Sequence, residues 1–219
     1  MSTNREQLIK NLLADVEEKF QHPQNVKDNS KFFKNGKGQL MLSVSVQREL
    51  ASRYFSYVKN KDKDTILDYC QDLLATNDRT CLVIAFDWSF RIKKYYEPDD
   101  FYRFEDWVKL YVDDWAKCDD ISTHTIGYFL MKFPAFVDCI YTWAESGNML
   151  FRRAAAVSLI LSARKNTYMD AIFKVANILL TDHEDLVQKG YGWMLKVASK
   201  HQQQRVFDYV MKQKEIMPR

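Results

Sequence analysis

The chain has 219 residues, 47% of them hydrophobic and 28% charged, with a formal net charge of +3. That is enough apolar material for one sizeable core or one elongated repeat array, and too little net charge to demand a polyanionic partner by itself. The longest apolar runs, such as residues 154–163, fall far short of a bilayer span. The N-terminus lacks the cationic-then-apolar order of a signal peptide, so a cytoplasmic protein with no membrane partner is expected. Cys70, Cys81, Cys118 and Cys139 form no C-x-x-C pair and read as reduced thiols filling core space.

Glycine occurs six times and proline four, and no stretch sustains an apolar–polar alternation, so helix is expected throughout and no sheet. Residues 5–20 place Leu8, Leu12, Leu13, Val16 and Phe20 on one helical face. Residues 30–43, which hold Gly36 and Gly38, break the pattern and read as a loop or short helix. Helical pairs then begin near Val46, Arg79, Trp115, Met149 and Asp185, at intervals of 33 to 36 residues. The break inside each pair falls at 60–64, 97–100, near Pro134, 165–167 and 200–204. Polar turns such as 76–78 and 146–148 close the second helices, of which 65–75 buries Ile66, Tyr69, Cys70, Leu73 and Leu74. The expectation is an all-α, HEAT-like α-solenoid (an α-α superhelix) of about five to six helical pairs. It forms a single domain over 1–219, with an N-terminal helix and loop over 1–45 and repeat pairs over 46–214. Corresponding positions of successive pairs then line one concave surface.

The chemistry-bearing residues collect in the later pairs. Asp113, Asp114, Asp119 and Asp120 lie within eight residues, and Trp115 stands four before Asp119, on the same helical face. Arg153 follows 34 residues later and Trp193 forty after that, near one repeat period each time. Each has a bland reading. Large aromatics on amphipathic helices usually pack into a core. Asp119 suits a cap on the helix that carries Ile121, Ile126 and Phe129, and Asp113 or Asp114 a cap on the one before it. Arg152 and Arg153 open a helix that is apolar almost all round (Ala154, Ala155, Ala156, Val157, Leu159, Ile160) and so need phosphates or internal carboxylates. From residue 141 onward there are 12 Lys and Arg against 7 Asp and Glu, whereas the first 140 residues hold 20 against 22. The C-terminal third is the better candidate to face phosphate. Nucleotide-binding and hydrolase motifs are missing, and His22, His124, His183 and His201 are dispersed, so neither a metal nor another cofactor is expected. His124 reads as a helix residue with a local hydrogen bond.

Three motifs carry a resemblance: W-x-x-x-D at Trp115 and Asp119, S-x-N-x-x-x-R-R-A-A from Ser146 to Ala155, and V-Q-K-x-x-G-W-x-L from Val187 to Leu195. With the N-terminal helix and residues 31–46, the whole chain resembles the AlkD family of DNA alkylation-repair glycosylases. The resemblance implies a helical-repeat enzyme that binds duplex DNA in a basic concave groove and removes cationic alkylpurines, chiefly N3-methyladenine and N7-methylguanine. By that likeness Asp119 is the catalytic carboxylate, Trp115 and Trp193 are the flanking indoles, and Arg153 is the groove arginine. Arg152 and Lys189, within the same motifs, join it as expected DNA-binding cations. The sequence departs from the family pattern at Gln47, where relatives often have proline, and at Phe32, where they often have tyrosine. A monomer acting on double-stranded DNA that contains alkylated bases is expected. The other class left open is a non-catalytic scaffold of the same shape, binding DNA structures or a protein.

Overall fold

The computed structural model describes residues 4–33 and 40–218, and these are helical apart from short connections and one small ribbon. They group into two compact units, residues 1–95 and 96–219. Helical pairs open at Val44, Arg79, Trp115, Met149 and Asp185, within two residues of the expected starts.

In the first unit, α1 (Asn4–Phe20) buries Ile9, Leu12 and Val16. It packs on α2 (Val44–Val58), α3 (Lys63–Ala75) and α4 (Arg79–Arg91). Asp62 caps α3 by accepting from the Thr65 amide at 2.8 Å, and Asp78 caps α4 through the Cys81 amide at 2.8 Å. Asn77, at φ 56°, takes the left-handed turn between α3 and α4 that asparagine tolerates. The Trp88 indole is fully buried, and its Nε1 donates to the Ala51 carbonyl at 2.9 Å, which ties α4 to α2.

The expectation of no sheet needs one correction. β1 (Val26–Asp28) pairs antiparallel with β2 (Leu40–Leu42), Val26 opposite Leu42. Three-residue strands are too short to show alternation, and side chains add to the backbone pairing: Gln47 Nε2 donates to the Leu42 carbonyl at 2.7 Å and Asn29 Nδ2 to Met41 Sδ at 3.1 Å. The part of the expected loop at residues 34–39 lies outside the described residues; Phe32 before it is exposed.

The second unit begins with α5 (Asp100–Tyr111). A continuous helical stretch follows: α6 (Trp115–Ile121), one π-helical segment (Ser122–Ile126) and α7 (Gly127–Lys132). After a 3-10 turn at Pro134–Asp138 come α8 (Cys139–Ala144), α9 (Met149–Ser158), α10 (Ile160–Arg164), α11 (Met169–Ile178), α12 (Asp185–Ala198) and α13 (Gln203–Gln213). Phe101, Phe129, Phe136 and Trp143 form an aromatic core, with Phe101 stacked on Trp143 at 5.6 Å and tilted on Phe136 at 4.9 Å. The helices that open the three pairs, α6, α9 and α12, lie in series, α9 against both of the others. Gly127 permits the crossing of this stretch over α9 and α10, since a Cβ there would stand 3.1 Å from the Ser122 carbonyl oxygen and 3.2 Å from that of Ser158. No described helix is long and apolar enough to cross a membrane. All four cysteines are free thiols, and Cys70, Cys81 and Cys118 are buried.

Candidate active site

The four clustered aspartates have four different jobs. Asp114 is the N-cap of α6, its Oδ1 accepting from the amides of Ala116 at 2.8 Å and Lys117 at 2.9 Å. Asp113 is exposed and pairs with Lys117 one turn on, at 2.7 Å. Asp120 takes His124, whose Nδ1 lies 3.2 Å from its Oδ1 and 3.0 Å from its carbonyl oxygen, the local bond expected of that histidine. Asp119 caps nothing. It meets Arg153 of α9 in a fork: Arg153 Nε donates to Oδ1 and Nη2 to Oδ2, both at 2.8 Å.

Asp119 and Arg153 are each the fifth residue of their helices, the register at which adjacent repeats bring equivalent positions together. Arg153 is buried, so its charge requires this partner; its Nη1 also donates to the Leu186 carbonyl in the first turn of α12. Gly190, one turn further along α12, sits on the arginine stem: a Cβ there would touch Arg153 Cγ at 3.4 Å. Trp193 follows Gly190 by three residues on that face, as Trp115 precedes Asp119 by four on its own.

Electrostatics single out the same carboxylate. Burial pushes the Asp119 carboxyl above the ordinary aspartate value, against the lowering pull of Arg153 and with some help from Asp114 and Asp120. The Cys118 thiol beside it is pushed up to about 12 by burial and is no nucleophile. A carboxylate has about four lone-pair positions. The Arg153 fork takes two, one on each oxygen, and 18% of the side chain's surface is exposed.

The tryptophans divide by exposure. Trp88 and Trp107 are fully buried and Trp143 is nearly so, its Nε1 donating to Glu105 at 2.6 Å. Trp115 and Trp193 are half-buried.

The expected cations take three positions. Lys189 is exposed, with Asp185 at 3.0 Å as a surface partner. Arg153 is occupied by Asp119. Arg152 points to the other flank of α9, where its Nε is 2.6 Å from Asp182 Oδ2 and its Nη1 donates to the carbonyls of Ser146 at 3.0 Å and Gly147 at 3.2 Å. Internal carboxylates, one of the two alternatives open at the sequence level, are therefore what both arginines meet. Asp182 is the residue that sequence reasoning missed. Its only signal was its place as the first of three acidic residues at 182–185, thirty residues after Arg152 and close to one repeat. Among the described residues no group of three or more His, Cys, Asp or Glu is arranged to hold a metal.

Two solved structures share this fold. One is described as a predicted DNA alkylation repair enzyme from Enterococcus faecalis, at 15% identity and TM-score 0.68, covering 94% of this chain and 88% of its own. The other is smu.31 from Streptococcus mutans UA159, at 16% identity and TM-score 0.63, covering 93% and 89%. Comparison with curated proteins gives no match. The family model described as DNA alkylation repair enzyme matches residues 14–219, nearly the whole chain, and the protein therefore belongs to the DNA alkylation repair enzyme family.

Proposed function

We propose that the protein is a DNA N-glycosylase that releases cationic alkylpurines, N3-methyladenine and N7-methylguanine, from duplex DNA. The observation that carries this reading is the Asp119 carboxylate, held in a bidentate fork by a buried arginine on the helix face that also bears a half-buried tryptophan. An N-alkylated purine already carries positive charge, so it departs as a neutral base and needs no general acid. The cation left on the sugar is oxocarbenium-like, and one fixed carboxylate beside it stabilises that charge and orients water. Arg153 keeps the carboxylate from turning away, so the orientation cost is met before the lesion arrives. The indoles of Trp115 and Trp193 attract a cation by about 0.5–2 kcal/mol each, which favours an alkylated base and a positive transition state over a normal base. Lys189, with its head group in solvent, is the cation best placed for a backbone phosphate; such a contact fixes register without reading sequence. The protein acts as a monomer in the cytoplasm in this reading.

A second reading, a DNA- or protein-binding scaffold, draws on the same ion pair, since a carboxylate paired with a buried arginine also clamps α6 to α9. Incubating the protein with methylated duplex DNA separates the two. Free N3-methyladenine or N7-methylguanine in the supernatant, above the level lost from DNA alone, is the expected result. Tight DNA binding with no base released would establish the scaffold.

A further inference from the structure

Arg152 and Asp182 form a second ion pair, on the flank of α9 away from Asp119, and it ties α9 to two inter-helix loops and to α12. Asp182 Oδ2 accepts from Arg152 Nε at 2.6 Å, and Oδ1 accepts from Arg152 Nη2 at 3.3 Å and from the Glu184 amide at 2.9 Å. The Asp182 carbonyl accepts from Gln188 Nε2 of α12 at 2.6 Å. Arg152 Nη1 reaches back to the carbonyls of Ser146 and Gly147, in the turn where Asn148 caps α9 through the Leu150 amide at 2.8 Å. The α8–α9 turn, α9 and the entry to α12 are thus locked together. That entry is where Arg153 makes its third hydrogen bond, to the Leu186 carbonyl.

We propose that Asp182 and Arg152 are positioning residues for Asp119: by fixing the first turn of α12 they hold Arg153 in the one orientation from which its fork grips the carboxylate. The two adjacent arginines reach the entry to α12 at two points, Arg152 through Asp182 and Arg153 through the Leu186 carbonyl. Asp182 is 7% exposed at the side chain and its carboxyl is held below the ordinary value: burial opposes this, but the Arg152 hydrogen bonds and the Glu184 amide outweigh it. The pair is therefore ionised wherever Asp119 is. The inference rests on the glycosylase reading only for its catalytic consequence.

The test is the titration of the Asp119 carboxyl carbon by nuclear magnetic resonance in the wild type, Asp182→Asn, Gln188→Ala and Asp170→Asn. The charged groups near that carboxyl are Arg153 on α9, Asp120 on α6 and Asp114 at the N-cap of α6, with the Cys118 thiol beside them. Arg153 is the group that lowers it, so a loosened Arg153 lets the Asp119 midpoint rise. Asp182→Asn should raise it, and Gln188→Ala should raise it by less. Asp170→Asn removes a surface pair with Arg205 and should leave it in place. Single-turnover base release by Asp182→Asn should fall by up to about 10²-fold, the scale for a misplaced catalytic group, with DNA affinity unchanged. An unchanged Asp119 midpoint in folded Asp182→Asn and Gln188→Ala overturns the proposal. Should Asp182→Asn not fold, Gln188→Ala decides alone. No base release by the wild type overturns the proposed function instead, and the titration still decides the positioning role.

Discussion

Asp119 pairs across helices with Arg153 while its neighbour Asp120 pairs locally with His124, and the setting of Asp119 has a pH signature. The raised Asp119 value means that ionising it costs the fold relative to the unfolded chain; this cost is present above the folded value and relieved as pH falls through it. Activity runs the other way, because the carboxylate form is lost over that same range. Asp182, whose value is depressed, contributes stability above the unfolded value, and this is lost only as pH falls through its lower folded one. On acidification, base release should therefore fade at a higher pH than the one at which the melting temperature drops. Rate–pH and melt–pH profiles measured together check this, and coincident loss would contradict it. Much of the site was legible at this scale: the four-residue spacing of Trp115 and Asp119 put them on one face, and the apolar helix behind Arg153 demanded an anion. Whether that anion was a phosphate or an internal carboxylate depended on which side chain of α6 lay against α9, and a single sequence does not encode that distance locally.

Among elements, the helix-pair starts were readable because glycine and proline are scarce and the polar turns recur at one period. The β1–β2 ribbon and the π segment were not. The ribbon rests mainly on backbone pairing, which leaves no side-chain period, and a five-residue π segment is too short to leave one. The glycines make a paired prediction. Gly127→Ala drives a Cβ onto main-chain oxygens on two sides and should destabilise the protein by about 1–3 kcal/mol, the scale of overpacking. Gly192→Ala meets nothing within 4 Å inside α12 and should stabilise it by about 0.5–1 kcal/mol through helix propensity. Thermal melts of the two variants should move in opposite directions; a shared sign would refute the packing argument at Gly127.

At the scale of the molecule, charge placement was visible in composition, since the surplus of Lys and Arg lies after residue 140. DNA affinity should fall linearly in log–log form as salt rises, and Lys189→Ala should lower the slope by about 0.9, the share of one phosphate contact. An unchanged slope would remove Lys189 from the interface. The central claim is that Asp119 alone among the four clustered aspartates performs chemistry. It is tested most directly by single-turnover release of N7-methylguanine by Asp119→Asn, Asp120→Asn and Asp113→Asn, each checked for folding by thermal melt. Asn keeps the shape and removes the charge, so Asp119→Asn should lose about 10²–10³ in rate, the scale for deleting one electrostatic contact to a transition state, while retaining DNA binding. The other two variants should stay near the wild type. Wild-type rates in a folded Asp119→Asn would contradict the account and leave the Asp119–Arg153 fork as a clamp between two helices.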